Sequence, residues 1–266
     1  MNIQLLGIDV QNDFCDPKGA LYVTGANEDT IRLAKMIDKH GDKIDDIRVT
    51  LDSHQVIHIA HPIFWVDSKG NHPAPFTLIA EDDVVGPNAK WRAYNPAWQK
   101  RAVDYVKALK TGGRYVLVIW PQHCVIGSWG HGLAPAFSDS LVNWCKNNFG
   151  MIDFVTKGSN AFSEHYSVVR ADVPDPSDPS TNINTTFIQR LEQADVILVA
   201  GQALSHCVRN SVTDILTEFG EQYANKFVIL KDATSSVPGF EKLGEDFVRD
   251  MTKLGMQVST TVDFFA

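Results

Sequence analysis

Residues 196–216, VILVAGQALSHCVRNSVTDIL, combine two patterns that together indicate the class of fold. The first part of this stretch, 196–201, is a continuous apolar run, which is typical of a strand covered on both faces of a sheet. Its second part has apolar residues at helical spacing, and we predict a helix over 207–219. The stretch therefore predicts a strand that leads into a helix, with Cys207 near the first turn of that helix.

Similar apolar runs recur along the chain and alternate with stretches of helical spacing. The other predicted strands are 3–10, 47–52, 115–120, 154–158, 227–232 and 257–265. Several helical stretches end at a glycine, which is a common C-terminal signal, and the one near residue 27 begins with a cap-like residue, Asn27. This alternation predicts an α/β fold with a doubly wound, mostly parallel sheet flanked by helices.

We interpret the 266 residues as a single domain, 1–266. Two segments fit neither pattern, one rich in proline and aromatic residues at about 59–98 and one at about 171–186. We expect both to be long loop insertions that form walls of a site or a subunit contact. The second role would make the protein a homo-oligomer.

Composition and charge exclude several classes of protein. The net charge of −8 argues against nucleic acid or an anionic membrane as the main partner. The first residues lack the basic region of a signal peptide, and no apolar run reaches the ~18–20 residues of a membrane span. The four cysteines show no CxxC spacing, so we expect neither a zinc ribbon nor a disulfide scaffold. We expect a cytoplasmic protein with reduced thiols.

Polar residues follow the ends of several predicted strands. In parallel sheets, ligands bind at the carboxyl ends of the strands, so we expect these side chains to share one rim. They are Asp9, Asp52, His54, His123, Lys157 and Cys207.

Cys207 is the candidate nucleophile. Unpaired N–H groups at a helix start favour an anion, so we expect the pKa of this thiol to be lowered. The same N–H groups would suit an oxyanion. The alternative is that Cys207 is a small buried hydrophobe. Its tripeptide HCV, 206–208, also occurs at 123–125, and we expect Cys124 there to be such a buried residue.

Asp9 and Lys157 are the candidate partners of that thiol. A carboxylate at the end of a buried strand is costly unless it is paired, and Asp9 would serve as the general base. Lys157 would pair with Asp9 and stabilise the thiolate. The alternatives are a turn acceptor for Asp9 and an exposed loop lysine for Lys157.

The segment LDSHQVIH (51–58) places Asp52, His54 and His58 close together. With His123, these residues would suit a divalent metal ion, namely Zn²⁺, Fe²⁺ or Mn²⁺. The alternative is an ordinary polar loop.

Five motifs in this order resemble the nicotinamidase/isochorismatase-like cysteine hydrolase family. GIDVQNDFCDPKGAL resembles the family's DxQNDFxxxGgL, TLDSHQVIH resembles TxDWHPxxH, and WPQHCVIGSWG resembles WPxHCVxGTxG. TKGSNAFSEHYS resembles the catalytic-lysine segment, and GQALSHCV resembles GLATDYCV. Together they span 7–208.

The resemblance implies a Rossmann-like three-layer fold and roles for the residues that match. It implies a triad of Asp9, Lys157 and Cys207 that hydrolyses an amide, with the N–H groups of Ala203 and Cys207 as oxyanion donors. It implies a cis peptide near Ala203–Leu204. The implied metal ligands are Asp52, His54 and His123, with His58 as an optional fourth.

The substrate expected from the resemblance is nicotinamide, converted to nicotinate and ammonia in pyridine nucleotide salvage. Ser53, Ser205-His206 and the GQAL stretch depart from the family pattern, which leaves open another small amide, an N-carbamoyl compound or a non-catalytic binding protein. The residues that we expect to line the pocket are Phe14, Trp65, Phe162 and His206.

Overall fold

The computed structural model describes residues 1–112 and 115–266. Its α-helices in chain order are α1 (Asn12–Cys15), α2 (Ala26–His40), α3 (Gln99–Gly112), α4 (Pro135–Asn148), α5 (Thr185–Glu192), α6 (Arg209–Phe219) and α7 (Glu241–Lys253). Its strands are β1 (Ile3–Ile8), β2 (Asp46–Asp52), β3 (Trp65–Val66), β4 (Leu78–Ile79), β5 (Arg92–Ala93), β6 (Leu117–Val118), β7 (Asp153–Lys157), β8 (Val196–Gly201), β9 (Phe227–Leu230) and β10 (Gln257–Ser259).

Six of the strands form the central sheet, in the order β10-β9-β8-β1-β2-β7. Every pairing in this sheet is parallel. Helices flank the sheet, with α2 packed against α4 and α5 against α6. The predicted α/β fold with a doubly wound parallel sheet is therefore confirmed.

The centre of the sheet is buried because its strands have no polar face. All six residues of β1 are buried, and in β8 only the first is partly exposed. Burying a Leu, Ile or Val side chain contributes about 1.5–3 kcal/mol, so these two neighbouring strands anchor the core. The sheet thereby fixes the positions of the loops that follow its carboxyl ends.

Gly201 ends β8 where two chain segments approach closely. A Cβ atom here would lie 2.0 Å from the carbonyl oxygen of Ile8, and the residue has a φ of +110°. Only glycine accommodates both conditions. The next residue, Gln202, donates its N–H to that same carbonyl at 2.8 Å, so the chain leaves the sheet beside the end of β1.

Three details of the predicted secondary structure are wrong. The strand predicted over 257–265 is shorter, since β10 ends at Ser259 and a turn follows. The run 115–120 is not a strand of the central sheet, since β6 pairs antiparallel with β4 in a separate two-stranded sheet. Its backbone bonds go to the preceding insertion, for example from the N–H of Trp120 to Ala60. Asn27 does not cap α2, because Gly25 precedes that helix and the Asn27 side chain accepts the Tyr22 hydroxyl.

The insertion 59–98 has more structure than a loop. It contains β3, β4 and β5 and three short 3₁₀ turns, and Phe64 and Trp65 at its start are buried. The segment 171–186 is irregular except for a 3₁₀ turn, Pro179–Thr181, and the first residues of α5. Within the described ranges, no helix has the length and apolar character needed to cross a bilayer.

Candidate active site

Three adjacent strands bring two carboxylates and an ammonium group together. Asp52 and Lys157 are the last residues of β2 and β7 and are paired in register. Asp9 follows β1, on the other side of β2. Because parallel strands end at the same edge, residues that are more than a hundred positions apart in sequence become neighbours.

Lys157 lies between the two carboxylates and the sulfur of Cys207. Its Nζ is 2.9 Å from Asp9 Oδ2, 3.0 Å from Asp52 Oδ1 and 3.6 Å from Cys207 Sγ. All four side chains are buried. The alternative of an exposed loop lysine is therefore excluded, and the predicted convergence of Asp9, Lys157 and Cys207 is present.

Cys207 lies in a π-helical turn, Leu204–Val208, that precedes α6. The N–H of Val208 donates to the Ala203 carbonyl at 3.1 Å, which is the wide spacing of a π turn. The helix predicted over 207–219 therefore begins with this turn, and its α-helical part starts at Arg209. The wider turn directs Cys207 towards Lys157.

The predicted lowering of the Cys207 pKa is wrong. Burial raises the pKa of this thiol well above its ordinary value, Lys157 lowers it, and Asp9 and Asp52 raise it again. The prediction considered the N–H groups of a helix start and the ammonium group of Lys157, but in a buried site desolvation and two carboxylates outweigh them. The resting side chain is therefore a thiol, and a nucleophilic role would require a base.

Asp9 has the position and protonation behaviour of such a base. Burial raises its pKa, Lys157 lowers it and Asp52 raises it, with a net upward shift. Its Oδ1 accepts the Thr50 hydroxyl at 2.5 Å, and its N–H also donates to Thr50. Lys157 stays charged because the two carboxylates, despite burial, raise its pKa well above the ordinary value.

Ala203 leads into the turn that carries Cys207. The cis peptide bond is Gln202–Ala203, one position before the predicted Ala203–Leu204. Within the described ranges, the Ala203 N–H donates to no backbone carbonyl. It is therefore available to an oxygen atom near Cys207, as the predicted oxyanion role requires.

Asp52, His54 and His123 have the donor set of a metal site. The ligand atoms that these buried residues offer all lie within 4.8 Å of one another. The Nε2 atoms of His54 and His123 lie 2.9 and 3.3 Å from Asp52 Oδ2. The His54 Nδ1 faces Gly158 O at 3.1 Å, and the His123 Nδ1 faces Pro121 O at 2.8 Å.

The contacts of the two Nδ1 atoms with carbonyl oxygens fix the protonation of Nδ1 and the orientation of each ring. A carbonyl oxygen only accepts, so each Nδ1 carries a proton, and each Nε2 faces the Asp52 carboxylate. Despite burial, Asp52 raises the pKa of His54 to about 9, so the Nε2 of His54 also holds a proton at rest, which a divalent cation would replace. Two imidazole nitrogens beside a carboxylate oxygen suit such a cation. The residues present therefore fit the metal site that the sequence predicts.

His58 and Gln11 lie beside these three residues and make hydrogen bonds with the protein. Both ring nitrogens of His58 are engaged, since Nδ1 accepts the Ala60 N–H at 3.2 Å and Nε2 faces the Ser163 carbonyl at 3.2 Å. The ligand atoms of His58, His54 and Glu164 nevertheless lie within 4.8 Å of one another, so the role of His58 as an optional fourth ligand stays a prediction. The side-chain amide of Gln11 makes two hydrogen bonds with the Asp52 backbone. Its Nε2 donates to the Asp52 carbonyl at 2.8 Å, and its Oε1 accepts the Asp52 N–H at 2.7 Å.

A cavity opens beside Cys207. Of the four residues predicted to line it, Phe14 and His206 do so, whereas Trp65 and Phe162 lie elsewhere. Trp65 is fully buried and donates its Nε1–H to Ile59. Phe162 packs under the guanidinium of Arg101, whose Cζ is 3.6 Å from the ring centroid.

The sequence analysis missed several residues of the cavity wall. These are Leu21, Trp120, Glu164, Tyr166 and Val237. Trp120 belongs to the same motif as His123, and Tyr166 and Glu164 to the same motif as Lys157, so the motifs themselves contained the signal. Glu164 is buried, and its Oε2 has no hydrogen-bond partner among the residues that the structure describes.

Comparisons with known proteins give a likeness of structure alone. No protein-family model matches this chain, and no curated protein sequence matches it. The chain is similar over nearly its whole length to solved structures of nicotinamidases and pyrazinamidases.

Three of these structures illustrate the likeness. An Acinetobacter baumanii nicotinamidase and pyrazinamidase has 21% identity and a TM-score of 0.64, with 98% of this chain and 97% of that chain covered. The yeast nicotinamidase bound to the inhibitor nicotinaldehyde has 18% identity, a TM-score of 0.63 and coverages of 97% and 99%. The Pyrococcus horikoshii pyrazinamidase in complex with zinc has 18% identity, a TM-score of 0.56 and coverages of 98% and 99%. This chain therefore shares the fold of those proteins.

Proposed function

We propose that this chain is a cysteine amidohydrolase of the nicotinamidase family that converts nicotinamide to nicotinate and ammonia. The observation that carries the proposal is the contact of Lys157 with both Asp9 and Cys207 in a buried site. A nucleophile, a base and a cation that joins them are the parts that acyl transfer needs. The fold shared with nicotinamidases supports the choice of substrate.

In the first half of the reaction, Asp9 takes the proton of the Cys207 thiol. The sulfur then attacks the carboxamide carbon, and the carbonyl electron pair moves onto oxygen. Lys157 offsets the negative charge that moves from Asp9 to the sulfur, and the N–H groups of Ala203 and Cys207 donate to the oxyanion. When the oxyanion collapses, Asp9 returns its proton to the leaving nitrogen, and ammonia departs.

In the second half, Asp9 acts again as the base. It takes a proton from a water molecule, whose oxygen attacks the thioester carbon. Collapse of this second tetrahedral intermediate breaks the carbon–sulfur bond and releases the carboxylic acid, and the thiolate regains a proton from Asp9. An Asp9 pKa raised above that of an ordinary carboxyl helps both transfers, because it brings the base closer to neutral pH.

Asp52, His54 and His123 would hold a divalent metal ion beside this centre. When bound, such an ion supplies a positive charge and open positions that a ring nitrogen or water can occupy. The proposed identities are Zn²⁺, Fe²⁺ or Mn²⁺, and the zinc complex of the Pyrococcus horikoshii pyrazinamidase supports the first.

The cavity wall suits a flat aromatic ring. Phe14, Trp120 and Tyr166 line it together with His206, and Phe14 also contacts the His123 ring edge-on at 5.4 Å. Aromatic walls bind a ring through offset and edge-to-face contacts. A pyridine carboxamide would fit this wall with its amide towards Cys207.

The test is release of ammonia from nicotinamide and from a panel of small amides and N-carbamoyl compounds. Cys207→Ala is compared with wild type, and Cys124→Ala, from the other HCV tripeptide, is the matched control. We expect release from nicotinamide in wild type and in Cys124→Ala but none in Cys207→Ala. Release that survives in Cys207→Ala would refute the mechanism, and release from other amides alone would refute the substrate. No release from any compound would favour a binding protein on this fold.

A further inference from the structure

Gln202 directly precedes the oxyanion donor Ala203, and its buried side chain is held at both ends. Its Nε2 donates to Asp29 Oδ2 at 3.0 Å, and its Oε1 accepts the Ser235 N–H at 3.2 Å. The corresponding family pattern, GLAT, has leucine at this position, which can make neither bond.

Ser235 connects the two sides of Ala203. Its hydroxyl donates to Asp29 Oδ2 at 2.7 Å, and its carbonyl accepts the Leu204 N–H at 2.8 Å. The residue before Ala203 and the residue after it are thus both tied to Ser235. We call Gln202, Asp29 and Ser235 the Gln202 clamp.

The far end of the clamp is itself fixed. Asp29 lies in the first turn of α2, and its other oxygen pairs with Arg32 at 2.7 Å. Arg32 in turn donates from Nε to the Asp232 carbonyl at 2.5 Å. Asp29 is buried, so water does not compete for the acceptor that Gln202 uses.

We propose that Gln202 is a positioning residue that, through Asp29 and Ser235, aims the Ala203 N–H at the developing oxyanion. This inference rests on the proposed function. A preorganised donor is effective only when it is held within about 0.5 Å of the productive geometry, and the clamp fixes the chain on both sides of that donor. Without it, the substrate would still bind, but the transition state would lose part of a hydrogen bond.

The experiment compares wild type with Gln202→Leu, which has a similar volume and lacks both amide bonds. Turnover of nicotinamide gives kcat and KM, and inhibition by pyridine-3-carbaldehyde reports on the oxyanion. The Cys207 sulfur adds to the aldehyde carbon, the carbonyl electron pair moves to oxygen, the thiol proton passes to Asp9, and nothing leaves. Nicotinate, which forms no such adduct, reports on ground-state binding.

We expect kcat to fall about tenfold, since complete loss of one oxyanion donor costs about 10²–10³-fold. KM and nicotinate affinity should stay within about twofold, while aldehyde affinity falls by the same factor as kcat. Gln4→Leu is the matched control. Gln4 is also buried, and its Oε1 accepts a hydrogen bond from Arg48 at 3.2 Å, but it lies near the start of β1 and not at the carboxyl edge of the sheet. This control variant should leave all four quantities unchanged.

An unchanged kcat in folded Gln202→Leu, or equal losses of aldehyde and nicotinate affinity, would overturn the proposal. Where Gln202→Leu does not fold, Asp29→Ala breaks the same clamp from α2 and must give the same pattern. Failure of the proposed function is a separate result, because wild type itself would then release no ammonia from nicotinamide.

Discussion

The Nζ atom of Lys157 lies 3.6 Å from the sulfur of Cys207, although burial and two carboxylates keep that sulfur protonated at rest. The lysine therefore does not create a resting thiolate. In the proposed reaction it would compensate the negative charge on Asp9 before proton transfer and on sulfur afterwards. This arrangement leads to predictions that separate the reactivity of the thiol from turnover.

Asp9→Asn should lose turnover and gain a more acidic thiol. The Asp9 carboxylate raises the pKa of Cys207, so removing its charge lowers that pKa. We expect at least a 100-fold loss of kcat, because a general base typically contributes about 10²–10⁴-fold. The pH midpoint for alkylation of Cys207 by iodoacetamide should meanwhile move down. An upward movement would contradict the assignment of Asp9 as a charged neighbour of the thiol.

Lys157→Met should destabilise the protein as well as inactivate it. It leaves Asp9 and Asp52 buried without their shared cation, and breaking a buried ion pair costs about 3–5 kcal/mol. Urea unfolding measures the loss. Lys100→Met is the control, because Lys100 pairs with Asp104 on an exposed helix face and should change the unfolding free energy by less than the measurement error. Equal effects of the two substitutions would contradict this account.

Metal content should depend on His123 and not on His58. His123→Ala removes a ring whose Nε2 lies 3.3 Å from Asp52 Oδ2, so the purified variant should lack the divalent ion that we expect in wild type. His58→Gln should keep the metal content of wild type, because both nitrogens of His58 are engaged by the protein. Elemental analysis measures this content. A chelator should lower the melting temperature of wild type and leave that of His123→Ala unchanged. Loss of metal in His58→Gln would make His58 a ligand.

His206 should make the fold sensitive to acid. Burial, assisted by Arg209, lowers the pKa of His206 to about 3, whereas an unfolded histidine has its ordinary value of 6.5. The unfolded state thus binds the extra proton, so stability is complete above about pH 6.5 and is lost as the pH falls towards 3. Between pH 7 and pH 5 this one residue should cost about 2 kcal/mol.

The substitution His206→Phe tests this linkage. Urea unfolding at pH 7 and at pH 5 should show a smaller loss of stability in the variant than in wild type. His72 is exposed, and His72→Gln should leave the pH dependence unchanged. A pH dependence of His206→Phe identical to that of wild type would show that His206 is not held neutral in the fold.

The strands at the centre of the sheet could be predicted from the sequence because each is a continuous apolar run. Continuous apolar runs such as those of β1 and β8 are buried on both faces, and such strands need no distant partner to be recognised. The run 115–120 has the same pattern, yet it pairs with β4 in the insertion. Pairing partners are set by long-range contacts, which a single run does not encode.

The parallel α/β fold and the residues at its carboxyl edge could be predicted from the amino-acid sequence, because strand ends that share an edge must be neighbours. The aromatic wall of the cavity, which contains Trp120 and not Trp65 or Phe162, could be identified only once the chain was folded. The folded arrangement also sets the sign of the Cys207 pKa shift and the protein contacts of His58. These properties depend on burial and on which groups lie within a few ångströms, and both are set by contacts between residues far apart in the chain.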